Sequence, residues 1–355
     1  MEIMRAVLGL EDGTCVVGEG FGAEGEVSGE LVFSTQMTGY MEALTDPSYH
    51  GQILMFTYPM IGNYGVDVHN FQHPRVWAMG CVAREICRKP EHQPSLFSYF
   101  EQSGLPGIHG VDTRMLTIKT RVQGTMRAAL VVGDDDPDYA VRQAMKVPAL
   151  SDKDLIPAVS CKAPYHVKGR GKRIAVIDLG IKKNIVVSLR KRDADVCVFP
   201  YNVSADEVAA CQPDALFISN GPGDPVHATD AITCVRELAG VLPVYGICMG
   251  NQICGLALGG ETYKMKFGHR GTNQPVRHTE DGRIFITTQN HGFAVAADTL
   301  PEGCRISYAN VNDGTLEGFS DPHLDITTVQ FHPEAHGGPR DTESHFFDAM
   351  FRRLR

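Results

Sequence analysis

Cys248 lies two residues after Gly246 and two before Gly250, between the apolar run Val241 to Tyr245 and the helix-like segment Asn251 to Leu258. A G-x-C-x-G pattern at a strand-to-helix turn is the thiol counterpart of the G-x-S-x-G nucleophile elbow. Small residues on either side permit a tight bend and leave the sulfur unhindered. The first N–H groups of the following helix and its positive dipole end favour thiolate over thiol. The chemistry this suits is nucleophilic attack with a covalent intermediate. Position alone does not assign that role, because cysteine is a commonly buried residue type and the chain holds ten.

A thiol nucleophile needs a group that takes its proton and returns it to a leaving group. His332-Pro333-Glu334 follows the strand-like run Ile326 to Phe331. Residues two apart in an extended chain face the same side, and a proline keeps the residue before it extended, so both side chains can project together from a strand end. Histidine titrates in the useful range, and a carboxylate beside it fixes the tautomer and stabilises the imidazolium. A third element, Ser219-Asn220-Gly221-Pro222-Gly223-Asp224-Pro225, ends another strand-like run. Its composition suits a plain turn, and equally a backbone loop whose N–H groups face a substrate carboxylate or a developing oxyanion.

Two other patterns carry no site. Gly20-Phe21-Gly22-Ala23-Glu24-Gly25 fits G-x-G-x-x-G, but Glu26 to Phe33 reads as strand where a dinucleotide loop needs a helix. His332 and His336 have the spacing of helical zinc ligands, yet Pro333, Gly337, Gly338 and Pro339 forbid a helix there, so no metal site is expected. The phosphate-binding G-x-x-x-x-G-K-[ST] pattern is absent.

These residues need strands and helices to hold them. From Lys172 onward, apolar runs (173–179, 195–200, 215–219, 242–247) alternate with helix-like segments (182–192, 204–211, 225–239, 249–258). The rhythm is that of an α/β fold, a mostly parallel sheet with helices on both faces, whose ligand crevice lies at the carboxyl ends of the strands. Cys248, the Ser219 to Pro225 turn and Gly180 all fall at such ends. Residues 1–150 instead read as a β-rich α/β domain of short runs at 5–10, 14–18, 29–34 and 52–57, with helical periodicity weak before Asp138 to Met145. The proline-rich stretch 151–170 is expected to connect this domain to a second at 171–355.

A chain of 355 residues exceeds one usual core, and 43% hydrophobic with 21% charged residues is an ordinary soluble composition. A net charge of −9 without extended basic clusters argues against nucleic-acid and anionic-membrane binding. No C-x-x-C pair, disulfide framework or secretory leader is evident, so a cytoplasmic location is expected. The uncharged stretch Leu238 to Gly260 is broken by Pro243, glycines, Asn251 and Gln252, and reads as a buried strand, the elbow and a buried helix.

Taken together, the elbow cysteine, the Gly-Pro-Gly turn and the terminal His-Pro-Glu resemble the class I glutamine amidotransferases, and within that class the family of small, glutamine-hydrolysing subunits of carbamoyl phosphate synthetase. The narrower resemblance rests on Thr35 to Tyr40, Leu44 to Tyr49, Asp178 to Lys182, Ser219 to Pro225, Gly246 to Gln252, Gln289 to Phe293 and His332 to Glu334, and spans the chain. It implies that Cys248 attacks the carboxamide of glutamine, that His332 shuttles the proton and that Glu334 orients His332. It further implies oxyanion donors at the N–H groups of Met249 and Gly223. Glutamine would be held by Ser48, Gly221, Gly223, Met249, Gln252, Asn290, Gly292 and Phe293, with His291 behind them. The N-terminal domain would dock a large subunit, which would carry the ATP, Mg and bicarbonate chemistry and receive the ammonia; no cofactor is expected on this chain. Arginine and pyrimidine biosynthesis are both compatible. One position departs from the family, since Asn251 stands where a histidine is usual. Two other readings share some of these residues: a stand-alone cysteine γ-glutamyl hydrolase, and a non-catalytic regulatory subunit.

Overall fold

The computed structural model describes residues 4–134, 136–335 and 337–354. The chain divides into two units, Met1–Lys153 and Asp154–Arg355. In the first, seven strands close into a barrel in the order Arg5–Leu10, Cys15–Gly22, Pro106–His109, Gly80–Val82, Gln52–Phe56, Gly25–Ser34 and Met126–Val132. The run Gly20 to Gly25 is the end of one of these strands, the connection Ala23-Glu24 and the start of the next, with no helix after it. Phe21, Val32, Leu54, Phe56 and Cys81 form a core with Tyr40, Leu44 and Phe100 from the connecting segments. A helix at Thr113–Gln123 carries Met115, Ile118 and Val122 at helical spacing. It buries only Thr113, Leu116 and Thr120 and turns Met115, Ile118 and Val122 outward.

The second unit is built on one ten-stranded sheet. Its centre is parallel, in the order Asp195–Pro200, Arg173–Asp178, Ala215–Ile218, Val244–Ile247 and Ile326–Val329. Side chains alternate across these strands, and two cores follow from that period. Ala175 and Ile177 face the helices Ala205–Ala210, Thr229–Leu238 and Met249–Ala257. Ile174 and Val176 face Lys183–Arg190 and Asp341–Arg353 through Ile185, Leu189, Phe347 and Met350. Antiparallel strands extend the sheet beyond Ile326–Val329, through Leu316–Asp321, Arg305–Asn310, Thr262–His278 and Ile284–Val295.

Of the stretch 151–170, residues 154–170 lie in the second unit, where Ile156–Val159 forms a short helix and Tyr165–Val167 pairs antiparallel with Asp195–Pro200. Among the described residues, no helix is long and apolar enough to cross a membrane, and the uncharged stretch 238–260 holds the strand Val244–Ile247 and the buried helix Met249–Ala257.

Candidate active site

Parallel strands deliver their carboxyl ends to one edge, and the residues that could do chemistry follow those ends. Cys248 comes directly after Val244–Ile247 and holds φ 57°, ψ −105°, a conformation L side chains rarely adopt. The strain is a property of the elbow, and its glycines are required by close approach. A Cβ on Gly250 would fall 2.3 Å from the Ile218 carbonyl oxygen, and one on Gly246 would fall 2.6 Å from the Gly250 backbone. The Cys248 N–H donates to the Val329 carbonyl at 2.9 Å, which ties the elbow to the neighbouring strand. Its thiol is buried and stands 3.6 Å from the Asn290 carbonyl oxygen.

That neighbouring strand, Ile326–Val329, runs on into Gln330, Phe331 and His332. The His332 N–H donates to the Thr288 carbonyl at 2.8 Å, so the segment is pinned at the histidine. His332 Nδ1 lies 2.8 Å from Glu334 Oε1, and the ring is fully buried. The same carboxylate oxygen lies 2.8 Å from Lys182 Nζ. With Nδ1–H committed to Glu334, the neutral ring keeps its lone pair on Nε2, which is buried, with the Cys248 sulfur as a neighbour of the ring. Burial and the Lys182 ammonium push the imidazole down, Glu334 and the Cys248 sulfur push it up, and the balance stands at about 9. Burial acts to raise the Glu334 carboxyl, but Lys182 and His332 outweigh it and hold the group at about 2. The site therefore contains a permanent carboxylate beside a histidine that readily carries a proton.

Lys182 owes its place to contacts that no spacing rule reveals. Its N–H donates to Asn220 Oδ1 at 3.1 Å, while Asn220 Nδ2 donates to the Gly180 carbonyl at 2.9 Å. Ser219 Oγ accepts from the Leu179 N–H at 2.9 Å. Asp178 Oδ1 accepts from the N–H groups of Gly180 and Ile181. Two strand-end loops, 178–182 and 219–223, are thereby clamped together. Gly221 sits in the clamp, where a Cβ would fall 2.3 Å from the Leu179 carbonyl oxygen, and Gly223 follows at φ 87°.

The remaining expected residues divide between the units. Met249 and Gln252 lie on the helix after Cys248, and Asn290, Gly292 and Phe293 lie on the strand Ile284–Val295. Gln252 Nε2 donates to the Phe293 carbonyl at 2.7 Å and to Gln330 Oε1 at 3.1 Å. Asn251 is fully buried and held by two hydrogen bonds, from its Nδ2 to Gln330 Oε1 at 3.0 Å and to its Oδ1 from the Thr328 hydroxyl at 2.8 Å. Ser48 belongs to the first unit, on the short turn Pro47–Tyr49, with its N–H donated to Asp46 Oδ1 at 2.9 Å. His336 lies outside the described residues.

Beside His291 in the sheet stands His269, a group that the sequence does not announce. His269 is flanked by Glu317 at 3.1 Å and Asp313 at 2.9 Å. Burial opposes its charge, but these two carboxylates prevail and raise its pKa above the usual imidazole value. His291, with Nδ1 2.8 Å from the Phe293 carbonyl oxygen, is pushed well below that value by burial and by the neighbouring His269 charge. The two carboxylates thus favour the protonated form of His269, and burial favours the neutral form of His291.

Comparison with known proteins identifies the family. Residues 175–351 match the family described as Glutamine amidotransferase class-I, and residues 8–130 match the Carbamoyl-phosphate synthase small chain, CPSase domain. The chain is 54% identical to the carbamoyl phosphate synthase small chain of Methanosarcina acetivorans, over 99% of each chain. It belongs to the carbamoyl phosphate synthase small chain family. The small chain of Archaeoglobus fulgidus is 48% identical over 99% of each chain, and that of Bacillus cereus 45% identical over 98% of this chain and 95% of its own. As a member of that family the chain is the glutamine amidotransferase subunit of the synthase, and its second unit carries the amidotransferase family match.

Proposed function

We propose that Cys248, His332 and Glu334 hydrolyse L-glutamine, and that the ammonia passes to a large ATP-dependent subunit that makes carbamoyl phosphate from bicarbonate. The observation that carries the reading is the buried chain Lys182–Glu334–His332 beside a cysteine on a strained elbow. The Cys248 proton moves to His332 Nε2, and the sulfur attacks the side-chain carbonyl carbon of glutamine. The resulting oxyanion is met by the N–H groups of Met249 and Gly223, placed by the elbow and by the Gly221-Pro222-Gly223 turn. His332 then gives its proton to the amide nitrogen, the C–N bond breaks and ammonia leaves. Water attacks the γ-glutamyl thioester, His332 takes its proton, and the thiolate departs from glutamate. Glu334 keeps Nδ1–H in place throughout and stabilises the imidazolium.

Glutamine is assigned to Ser48, Gly221, Gly223, Met249, Gln252, Asn290, Gly292 and Phe293. Residues 1–150 are the domain assigned to docking the large subunit, 151–170 the connection and 171–355 the amidotransferase domain. The composition and the family fit a cytoplasmic heteromer. The match of residues 8–130 to the small-chain domain favours this over a stand-alone γ-glutamyl hydrolase. The test is Cys248→Ser in the assembled synthase: glutamine-dependent carbamoyl phosphate synthesis should vanish while free ammonia still supports it. Equal loss with both nitrogen sources would contradict the reading.

A further inference from the structure

Gln330 lies two residues before His332, is fully buried and touches neither Cys248 nor Glu334 by hydrogen bond. Its carboxamide sits between two others. The Phe293 carbonyl can only accept, so the Gln252 atom 2.7 Å from it is Nε2. That nitrogen's second hydrogen is directed at Gln330, 3.1 Å away, so the Gln330 atom there is Oε1. The Asn251 atom 3.0 Å from the same oxygen is then Nδ2, and its Oδ1 accepts from Thr328. One backbone carbonyl thereby fixes the orientation of three side-chain amides in series.

The arrangement has a cost and a consequence. Among the described residues Gln330 Nε2 is left buried with no partner, a defect native interiors rarely keep and which concentrates at functional sites. The consequence falls on Gln252. Both of its Nε2 hydrogens are consumed, and among the described residues no group engages its Oε1, so what it can present is an acceptor. We infer that Gln330 is a positioning residue for glutamine: it holds the Gln252 carboxamide with its oxygen toward a hydrogen-bond donor of the substrate, and Asn251 with Thr328 locks Gln330 in that sense. The inference rests on the glutaminase reading above. Asn251 suits the role because it has no titratable proton, so the polarity of the series does not change with pH.

The experiment is glutaminase kinetics on the chain assembled with its large partner, with the thermal midpoint recorded for each variant. Gln330→Met removes the shared acceptor and should raise KM for glutamine about five- to tenfold, the worth of one orienting hydrogen bond, with kcat within about twofold. Gln330→Glu offers an oxygen to both amides and should recover most of that loss. Asn251→Asp is isosteric but presents only acceptors to Gln330, turning its amide so that two NH2 groups meet; KM should rise without a fall in kcat. A merely structural role would lower kcat and the midpoint together and give no recovery with glutamate. An Asn251→Asp chain with unchanged KM would overturn the inference alone. Absence of any glutamine turnover in the unaltered assembly would overturn the glutaminase reading, and the inference with it.

Discussion

Lys182 and Glu334 face each other at 2.8 Å, with side chains only 7% and 0% exposed, and the oxygen they share is the one that orients His332. The Glu334 carboxylate is thus held charged by its surroundings. Separating two buried charges from water is expensive, and the pair is worth keeping only while both members are present.

Lys182→Met should cost about 3–5 kcal/mol of stability, because it leaves the Glu334 carboxylate buried with one fewer counter-charge. Denaturant unfolding at neutral pH measures this. The same variant should move the alkaline limb of glutaminase activity upward from about 9, since Lys182 is one of the influences that push His332 down.

Glu334→Gln acts in the opposite direction on the histidine. Removing the carboxylate removes an influence that raises His332, so its proton is lost at lower pH and the alkaline limb should fall below about 9. The rate at the optimum should drop by about 10²-fold or more, the usual scale of a displaced acid–base group. A pH–rate profile over the alkaline range reads both effects.

His269 gives a stability prediction with a definite sign. Its folded pKa is raised above 6.5, so its contribution is full below that value and is lost as pH rises through the folded value. Thermal midpoints should therefore decline with rising pH above neutrality in the unaltered chain more than in His269→Gln. Parallel curves for the two chains would refute the buried imidazolium.

Gly250→Ala tests the elbow without touching any polar group. The added carbon would fall 2.3 Å from the Ile218 carbonyl, so the helix start must shift away from the strand. The expected result is a stability loss of about 1–3 kcal/mol from overpacking, together with loss of glutaminase activity as Cys248 leaves its place.

The site was legible in the sequence where backbone conformation is written locally. Gly246, Cys248 and Gly250 encode the turn itself, and His332 and Glu334, two apart, reach one another through a single short segment. Lys182 and Gln330 escaped notice because their partners are distant in the chain and meet them only through the sheet. Asn251, where the family usually has a histidine, completes a set of buried amides. The fold shows the same division. Alternating apolar runs announced the parallel centre of the second unit, while in the helix Thr113–Gln123 three threonines, an isoleucine and a valine, all β-branched and weak helix formers, mask the apolar stripe Met115, Ile118 and Val122. The long antiparallel pair Thr262–His278 and Ile284–Val295, which carries Asn290 and Phe293, is rich in polar residues, and only fragments of it read as strand.

The central claim is that Cys248 becomes acylated by glutamine. Acid quenching of the assembled synthase during glutamine turnover, followed by peptide mass analysis, tests it most directly. The account predicts a γ-glutamyl thioester on Cys248 that is absent in Cys248→Ser. Turnover that proceeds with no adduct on Cys248, or with the adduct on another cysteine, would contradict it.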